Sequence, residues 1–559
     1  MKKNGSSKYF LICLLIFFLA VSDFFISCNT TYGLAEDQVF TALDYSLDDI
    51  VNEEIKRIEE FKSKDFVKAL WRAWLLNENK KTPSAKECYD QCLTLTLEKY
   101  KAAIEEKNYM EAYRIYSSLE SLDYEKIGEI KKDFLDLQKN FSKDITSLKS
   151  SPKEKASIAD CVKGTVTVWV DRGIKIEKRL GFADVVLGSG FFISKNGYIV
   201  TNHHVIESCV DPKYEGYAHL YIKLSGDTEN RIPAKVVGFD KTLDLALLKT
   251  EVDAPYYFDL GGNSHLEVGD KVYAIGSPVG LESTLTSGVI SSTARDLNMS
   301  AKVFQLDAAV NSGNSGGPLI DQDGKIQAVV FASVQYYDGL NFAIPIEYLK
   351  NDLPFLFAGG EKKHIWIGSY GKTKRLPGSG TKEEGVLVNY VQPGSSAFLG
   401  GIKENDLIYK LNGKNIYSVD QLHSEYIRLS ARSIAKFSFV DSEGNEKEMP
   451  LYLEERPAQP GYSVYSHDII TSSLYPIFGI KMATVSSANK NLYVITDVMK
   501  NSTADLSGFS VGDTMQLVNA YTSSDNSLLT IEVYAKKRKN GFVDMGIGLA
   551  VNLNSPYYF

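Results

Sequence analysis

Cysteine is scarce in this chain, with six in 559 residues. Cys88 and Cys92 stand one helical turn apart, but a metal site needs two further ligands and nothing nearby supplies them. Buried thiols are the expectation, and neither a metal nor a cofactor is expected. Cys161 and Cys209 leave a disulfide open, because spacing does not fix connectivity. Basic patches are missing too. The formal net charge is −8, which argues against a nucleic-acid partner. No phosphate-binding loop is present, so nothing points to an ATP-driven machine. The leading apolar run, Tyr9–Val21, is shorter than the about 20 residues a membrane-spanning helix needs.

That run follows Lys2, Lys3 and Lys8, so residues 1–27 read as a signal peptide. Two cleavage points stay open. Phe25-Ile26-Ser27-Cys28 is a loose lipoprotein box with Cys28 as the acylated first residue. Gly33-Leu34-Ala35 is an ordinary small-residue site. Removal of residues 1–27 leaves 59 basic and 69 acidic residues and a net charge of −10, which gives no attraction to anionic lipid. The expected location is the periplasm or cell envelope, with a lipid anchor at Cys28 as the candidate membrane attachment.

A chain of this length exceeds one hydrophobic core and predicts several domains. Residues 36–150 read as all helix. Ser46 with Asp49, and Thr82-Pro83 with Ser84 and Glu87, are helix-start signals. Leu93, Leu97, Tyr100 and Ile104 share one face. After a Lys107-Asn108 turn, Tyr109, Ala112, Tyr113, Tyr116 and Leu119 share another. Such a hairpin resembles a tetratricopeptide unit, and a helical spacer fits equally. The stretch Ser147–Lys155 reads as a linker.

Over residues 156–357 the period changes to two, with glycine punctuation. Val166, Val168 and Val170 alternate with Thr165, Thr167 and Trp169, and Asn196-Gly197 signals a hairpin. Within this region Asn311–Pro318 reads Asn-Ser-Gly-Asn-Ser-Gly-Gly-Pro. A serine hydroxyl is a weak nucleophile and needs a base and oxyanion donors. Glycines around Ser315 let the backbone bend and aim N–H groups inward. Asp244 enters the apolar run Leu243–Leu248, where an acid needs a partner. Asp240, after Gly238-Phe239, is the competing carboxylate and reads as a turn residue.

Thr201-Asn202-His203-His204-Val205 and the Ser315 loop resemble the motifs of HtrA/Deg-type serine proteases of the chymotrypsin clan. Val268–Leu281, Thr286–Ser292, Gln305–Asn311 and Gly339–Pro345 continue the likeness in order. The resemblance implies a double-barrel protease domain over 156–357. It implies Ser315 as nucleophile, His204 as base, with His203 a bystander, and Asp244 orienting His204. Backbone N–H groups of Gly313 and Ser315, with Asn314 between them, are the implied oxyanion hole, in a loop the family often holds collapsed at rest. Ala309 stands where trypsin-like enzymes carry an aspartate, which argues against Lys/Arg preference. Phe331, Ala332 and Ser333 are the implied substrate-pairing strand.

Residues 363–456 resemble a PDZ domain, with Trp366-Ile367-Gly368 as the peptide-carboxylate loop and Val419–Leu429 as the groove helix. Residues 462–559 repeat the pattern. Ala397 precedes Asp406 by the same nine residues that separate Ala504 from Asp513, and Gly401 and Gly508 each precede their aspartate by five. Ile477-Phe478-Gly479 is a candidate second carboxylate loop. No groove helix follows Asn519, so a degenerate PDZ-like domain is expected. The fold class is thus multidomain: an all-α region, an all-β double barrel and two α+β PDZ-like domains. The implied activity is an exported, ATP-independent serine endopeptidase acting on unfolded or damaged envelope polypeptides. It would use PDZ recognition of peptide C-termini and assemble as a homo-oligomer, a trimer or multiple. The alternative is a chaperone, peptide-binding or surface scaffold protein with a latent protease domain.

Overall fold

A computed structural model describes residues 47–146, 157–177, 179–227, 229–260, 265–276, 284–295, 301–310, 313–333, 340–375, 383–485, 491–537 and 543–559. The expected signal peptide, Cys28 and the Ser147–Lys155 linker lie outside these residues. The chain divides into two units. Of the first, residues 1–54, the described part is the opening of one helix; residues 55–559 form the second.

Among the described residues the helical region has five helices: Leu47–Lys64, Phe66–Lys80, Pro83–Glu105, Tyr109–Ser121 and Ile127–Thr146. Their starts are local chemistry. Asp65 accepts from Lys68 N–H, Thr82 from Ala85 N–H ahead of Pro83, and Asn108 from Glu111 N–H. Thr82, rather than Ser84, is the cap. The aromatic face of 109–121 stacks on the last helix, with Tyr116–Phe134 centroids at 4.4 Å and Tyr109–Phe141 at 4.2 Å. Cys88 and Cys92 are buried as expected.

Twelve strands build two barrels. The first barrel is β1 (Thr165–Glu177), β2 (Leu180–Phe192), β3 (Tyr198–Thr201), β4 (His219–Leu224), β5 (Ile232–Asp240) and β6 (Leu245–Thr250), closed by β5–β6 pairing. The second is β7 (Lys271–Gly276), β8 (Thr284–Arg295), β9 (Val303–Leu306), β10 (Pro318–Ile320), β11 (Ile326–Ser333) and β12 (Asn341–Pro345), also closed. Period-two alternation between two cores explains why β6 is apolar from Leu245 to Leu248. Ala246 and Leu248 fill the first barrel, while Leu245 and Leu247 join Ile275, Ile320 and Val329 in the cluster between barrels. Cys161 belongs to that second cluster and Cys209 packs against the first. Both are free thiols, so the candidate disulfide is not formed, each sulfur serving a different core.

A helix, Ile346–Ala358, leads out of the barrels. β13 (Gly360–Glu361) pairs with β5, and β14 (Ile365–Trp366) with β21 (Glu454–Glu455). The next sheet has the order β15-β16-β17-β19-β20. It comprises β15 (Ser369–Arg375), β16 (Glu383–Val391), β17 (Leu407–Leu411), β19 (Ile434–Val440) and β20 (Glu446–Tyr452), with β18 (Lys414–Asn415) paired to β17. The predicted groove helix is present as Val419–Tyr426, capped by Ser418. The helical region docks on this sheet. Trp71 Nε1 donates to Pro450 O at 2.8 Å, and Ser118 and Ser121 bond the Ile434 backbone at 3.0 and 2.9 Å.

The last sheet runs β22 (Ile480–Thr484), β23 (Leu492–Val498), β24 (Thr514–Thr522), β25 (Leu528–Lys537) and β26 (Val543–Asn552) in sequence order. The internal repeat is structural. Asp406 accepts from Lys403 N–H and Asp513 from Ser510 N–H, both at 2.8 Å. Gly401 and Gly508 adopt φ of 82° and 81°, the left-handed region open to glycine. The repeat ends after Asn519, where β24 and β25 continue and no groove helix follows among the described residues. Ile477 and Phe478 do not form a loop. They end the buried helix Ile470–Phe478, with Gly479 as its left-handed cap.

Candidate active site

Strand β3 stops at Thr201, and a helix begins at His203 and runs to Val210. This geometry separates the adjacent histidines. His203 is buried and stacked on Phe239 at 5.2 Å, and desolvation lowers its pKa. His204 faces outward with 45% of its side chain exposed. Its Nδ1 lies 2.6 Å from Asp244 Oδ2, and its backbone N–H donates to Asp244 Oδ1 at 2.8 Å.

Asp244 does not sit inside the apolar run. It closes the turn before β6 with φ +54°, a conformation that aspartate tolerates better than most residues. The turn points its carboxylate away from the strand, leaving 16% exposure. Its own carbonyl accepts from Asn202 Nδ2 at 2.7 Å.

Asp240 is the deeply buried acid, at 0% exposure. Its Oδ1 accepts from Thr242 and Leu243 N–H, so it does shape the turn. It also meets His364 Nε2 at 2.7 Å and Lys362 Nζ at 3.9 Å. Burial opposes its ionisation, but His364 and Lys362 outweigh it and hold the pKa down at about 2. Lys362 also binds Asp352 at 2.5 Å. Asp240 thus anchors the segment leading out of the barrels and takes no part in the His204 pair.

The Ser315 loop belongs to the second barrel but is tied to the first. Ser189 N–H donates to Ser315 O at 2.7 Å, and Ser189 Oγ to Gly313 O at 2.5 Å. Thr201 Oγ1 in turn donates to Ser189 O at 2.7 Å. Gly316, at φ +86°, fits where a Cβ would lie 2.2 Å from Ser189 O and 2.3 Å from Thr201 Oγ1. Gly317 N–H closes the turn onto Asn314 O at 2.9 Å. Asn314 is buried against Gly276. Among the described residues, the N–H groups of Gly313 and Ser315 donate to no backbone carbonyl.

Ser315 Oγ donates to Phe331 O at 3.4 Å, and no hydrogen bond joins it to His204 among the described residues. Phe331–Ser333 lie on β11 as expected. Ala332 and Ser333 pair with β12 on one side, while β10 pairs with β11 only as far as Val329. Ala309 is exposed beside the loop. Trp366 and Ile367 are buried at the entrance to β15, where Gly368 turns at φ +84°. Sequence reasoning missed Ser189, Asn202 and Lys362. Ser189 stands in the Gly188-Ser189-Gly190 run of β2, and only tertiary pairing shows its task.

Residues 188–329 match a trypsin-like peptidase domain model. Residues 461–553 match the TP0546 family PDZ domain, and 49–141 a domain of unknown function, DUF8517. A probable periplasmic serine endoprotease DegP-like of Bartonella henselae is 35% identical over 349 residues, covering 60% of this chain and 67% of that protein. Its namesake in Pseudomonas fulva is 31% identical over 384 residues, covering 65% of this chain and 76% of that protein. This chain belongs to the DegP-like serine endoproteases. A solved serine endoprotease from Yersinia pestis is similar to this DegP-like protease over 55% of the chain and 100% of its own, at 26% identity and TM-score 0.41. The double barrel and the PDZ match make it an HtrA-type enzyme with C-terminal PDZ architecture.

Proposed function

We propose that this HtrA-type endoprotease hydrolyses unfolded envelope polypeptides through Ser315, His204 and Asp244. The observation that carries the reading is the two-point hold of Asp244 on His204. It fixes the ring with Nδ1 toward the carboxylate and leaves Nε2 to take the Ser315 proton. Ser315 Oγ leaves Phe331 O, attacks the peptide carbonyl and forms the acyl-enzyme, while His204 returns the proton to the leaving amine. The N–H groups of Gly313 and Ser315 receive the oxyanion, and the Phe331–Ser333 edge receives the substrate backbone. The exposed Ala309 offers no charge for Lys or Arg.

The reading extends to an exported enzyme with Cys28 as candidate lipid anchor, to self-assembly, and to peptide capture by residues 363–456 through Trp366, Ile367 and Gly368. The periplasmic naming of the relatives supports export. The test is degradation of an unfolded model protein by the chain and by Ser315→Ala at equal concentration. Cleavage dependent on Ser315 is expected. Equal loss of substrate with both sinks the nucleophile assignment. Loss with neither, even with added peptide, favours the latent peptide-binding protein, a reading to which the Ser315–Phe331 bond lends support.

A further inference from the structure

β15 is the outer strand of its sheet, and an outer strand presents unpaired N–H and C=O groups. Here those groups are taken by a distant part of the same chain. Ser369 N–H donates to Phe559 O at 2.8 Å, Phe559 N–H to Ser369 O at 2.9 Å, and Gly371 N–H to Tyr557 O at 3.0 Å. Tyr370 and Tyr558 face each other in antiparallel register. From the helix side, His423 Nε2 lies 2.5 Å from Pro556 O. Pro556–Phe559 therefore lies between β15 and the Val419–Tyr426 helix, bonded to the β15 edge on one side and to His423 on the other.

The fit is that of a seated ligand. Phe559 is 0% and Tyr558 2% exposed. A Cβ at Gly371 would meet Leu387 O of β16 at 2.4 Å and the edge of the Phe559 ring at 3.0 and 3.1 Å, so the ring packs directly on the bare backbone. Tyr558 packs on Tyr370 at 5.0 Å. Arg456 holds the approach, donating to Asn554 Oδ1 at 2.9 Å and Ser555 O at 3.2 Å.

We propose that this groove is a peptide-binding site closed in cis by Pro556–Phe559. External peptides with an aromatic residue in the Phe559 position then bind only by displacing that segment. The inference rests on the reading of residues 363–456 as a peptide-capturing PDZ domain. Main-chain pairing supplies affinity and the Phe559 socket supplies selectivity. A tethered occupant competes at an effective concentration of order mM, so a segment whose own intrinsic Kd is about 0.1 mM or below costs any external peptide at least about tenfold in apparent affinity.

The probe is a fluorescein-labelled peptide of sequence Asn-Ser-Pro-Tyr-Tyr-Phe. Its anisotropy is titrated with three chains that all carry Ser315→Ala: the otherwise intact chain, one lacking residues 556–559, and one carrying Phe559→Asp. Both altered chains are expected to bind at least about tenfold more tightly than the intact one. A second measurement needs no disruptive change. Saturating unlabelled peptide on the intact chain should speed deuterium exchange at the Phe559 amide, because its Ser369 acceptor is lost. Equal, tight binding by all three chains, or unchanged exchange at Phe559 under bound peptide, overturns the closure and leaves the PDZ reading standing. Absence of binding by all three removes the peptide site, and both fall together.

Discussion

Asp244 grips His204 at two points, Oδ2 at the ring Nδ1 (2.6 Å) and Oδ1 at the backbone N–H (2.8 Å). One contact sets the tautomer and the other sets the position of the helix start. Asp244→Asn keeps an oxygen for one contact but presents an amide to the other, which favours the wrong tautomer. Turnover should fall by about 10⁴, the magnitude of the worked serine-protease example, with the unfolding midpoint nearly unchanged. Near-normal turnover would remove Asp244 from the mechanism.

Gly316→Ala tests the seam between loop and barrel. The added methyl meets Ser189 O and Thr201 Oγ1 at 2.2 and 2.3 Å in a left-handed backbone. Strain of at least about 1–3 kcal/mol is expected, and the nucleophile shifts with it. Loss of both stability and cleavage should follow, read by denaturant unfolding and substrate turnover. An alanine variant as stable and active as the parent contradicts the packing described.

The buried cluster Asp240–Lys362–Asp352 predicts a large cost for removing its cation. Lys362 Nζ sits 2% exposed between two carboxylates that are 0% exposed. Lys362→Met strands buried charge, and breaking such a pair costs about 3–5 kcal/mol. Urea unfolding at neutral pH measures it; a change under about 1 kcal/mol would mean that the cluster is not buried as described.

His423 sets a pH dependence. Burial lowers its pKa to about 4, with Arg456 acting in the same direction and the Pro556 carbonyl and Asp420 opposing. A group whose protonated form the folded state rejects contributes stability in full above about pH 6.5, and that stability is lost as pH falls toward 4. The window is worth roughly 3 kcal/mol at about 1.36 per pKa unit. Asp352, raised to about 6 by burial against the pull of Lys362, works oppositely, gaining stability as pH falls from 6 toward 3.8. The difference between the parent and His423→Gln isolates the histidine. That difference should shrink on acidification; a constant difference from pH 7.5 to 4.5 refutes the assignment.

Much of the architecture was legible because local chemistry and tertiary need coincide. Val166, Val168 and Val170 alternate since one strand face fills a barrel, and Thr82-Pro83 starts a helix with no tertiary help. The Ala504–Asp513 spacing held because Asp513 must cap its turn. The two acids show where legibility stops. The sequence sets Asp244 beside an apolar run and Asp240 in a turn, yet Asp240 is the buried one, because its partners His364 and Lys362 come from more than a hundred residues downstream. Ile477-Phe478-Gly479 matches the apolar-apolar-glycine pattern of Trp366-Ile367-Gly368, but the preceding Ile470–Tyr475 carries the helix on to Phe478. The Phe559–Ser369 pairing joins segments 190 residues apart in sequence, and no local pattern reports it.

Ser189 has a consequence for how the two barrels share work. His204 and Asp244 stand on the first barrel, and Ser315 is carried by the second. Ser189, on β2, is bonded to the main chain on both sides of Asn314, so the proposed nucleophile is held from the same barrel that carries its proposed partners. The seam acts as a ruler. Any displacement of the second barrel would have to break the two Ser189 bonds before it could carry the Ser315 loop away from His204 and Asp244.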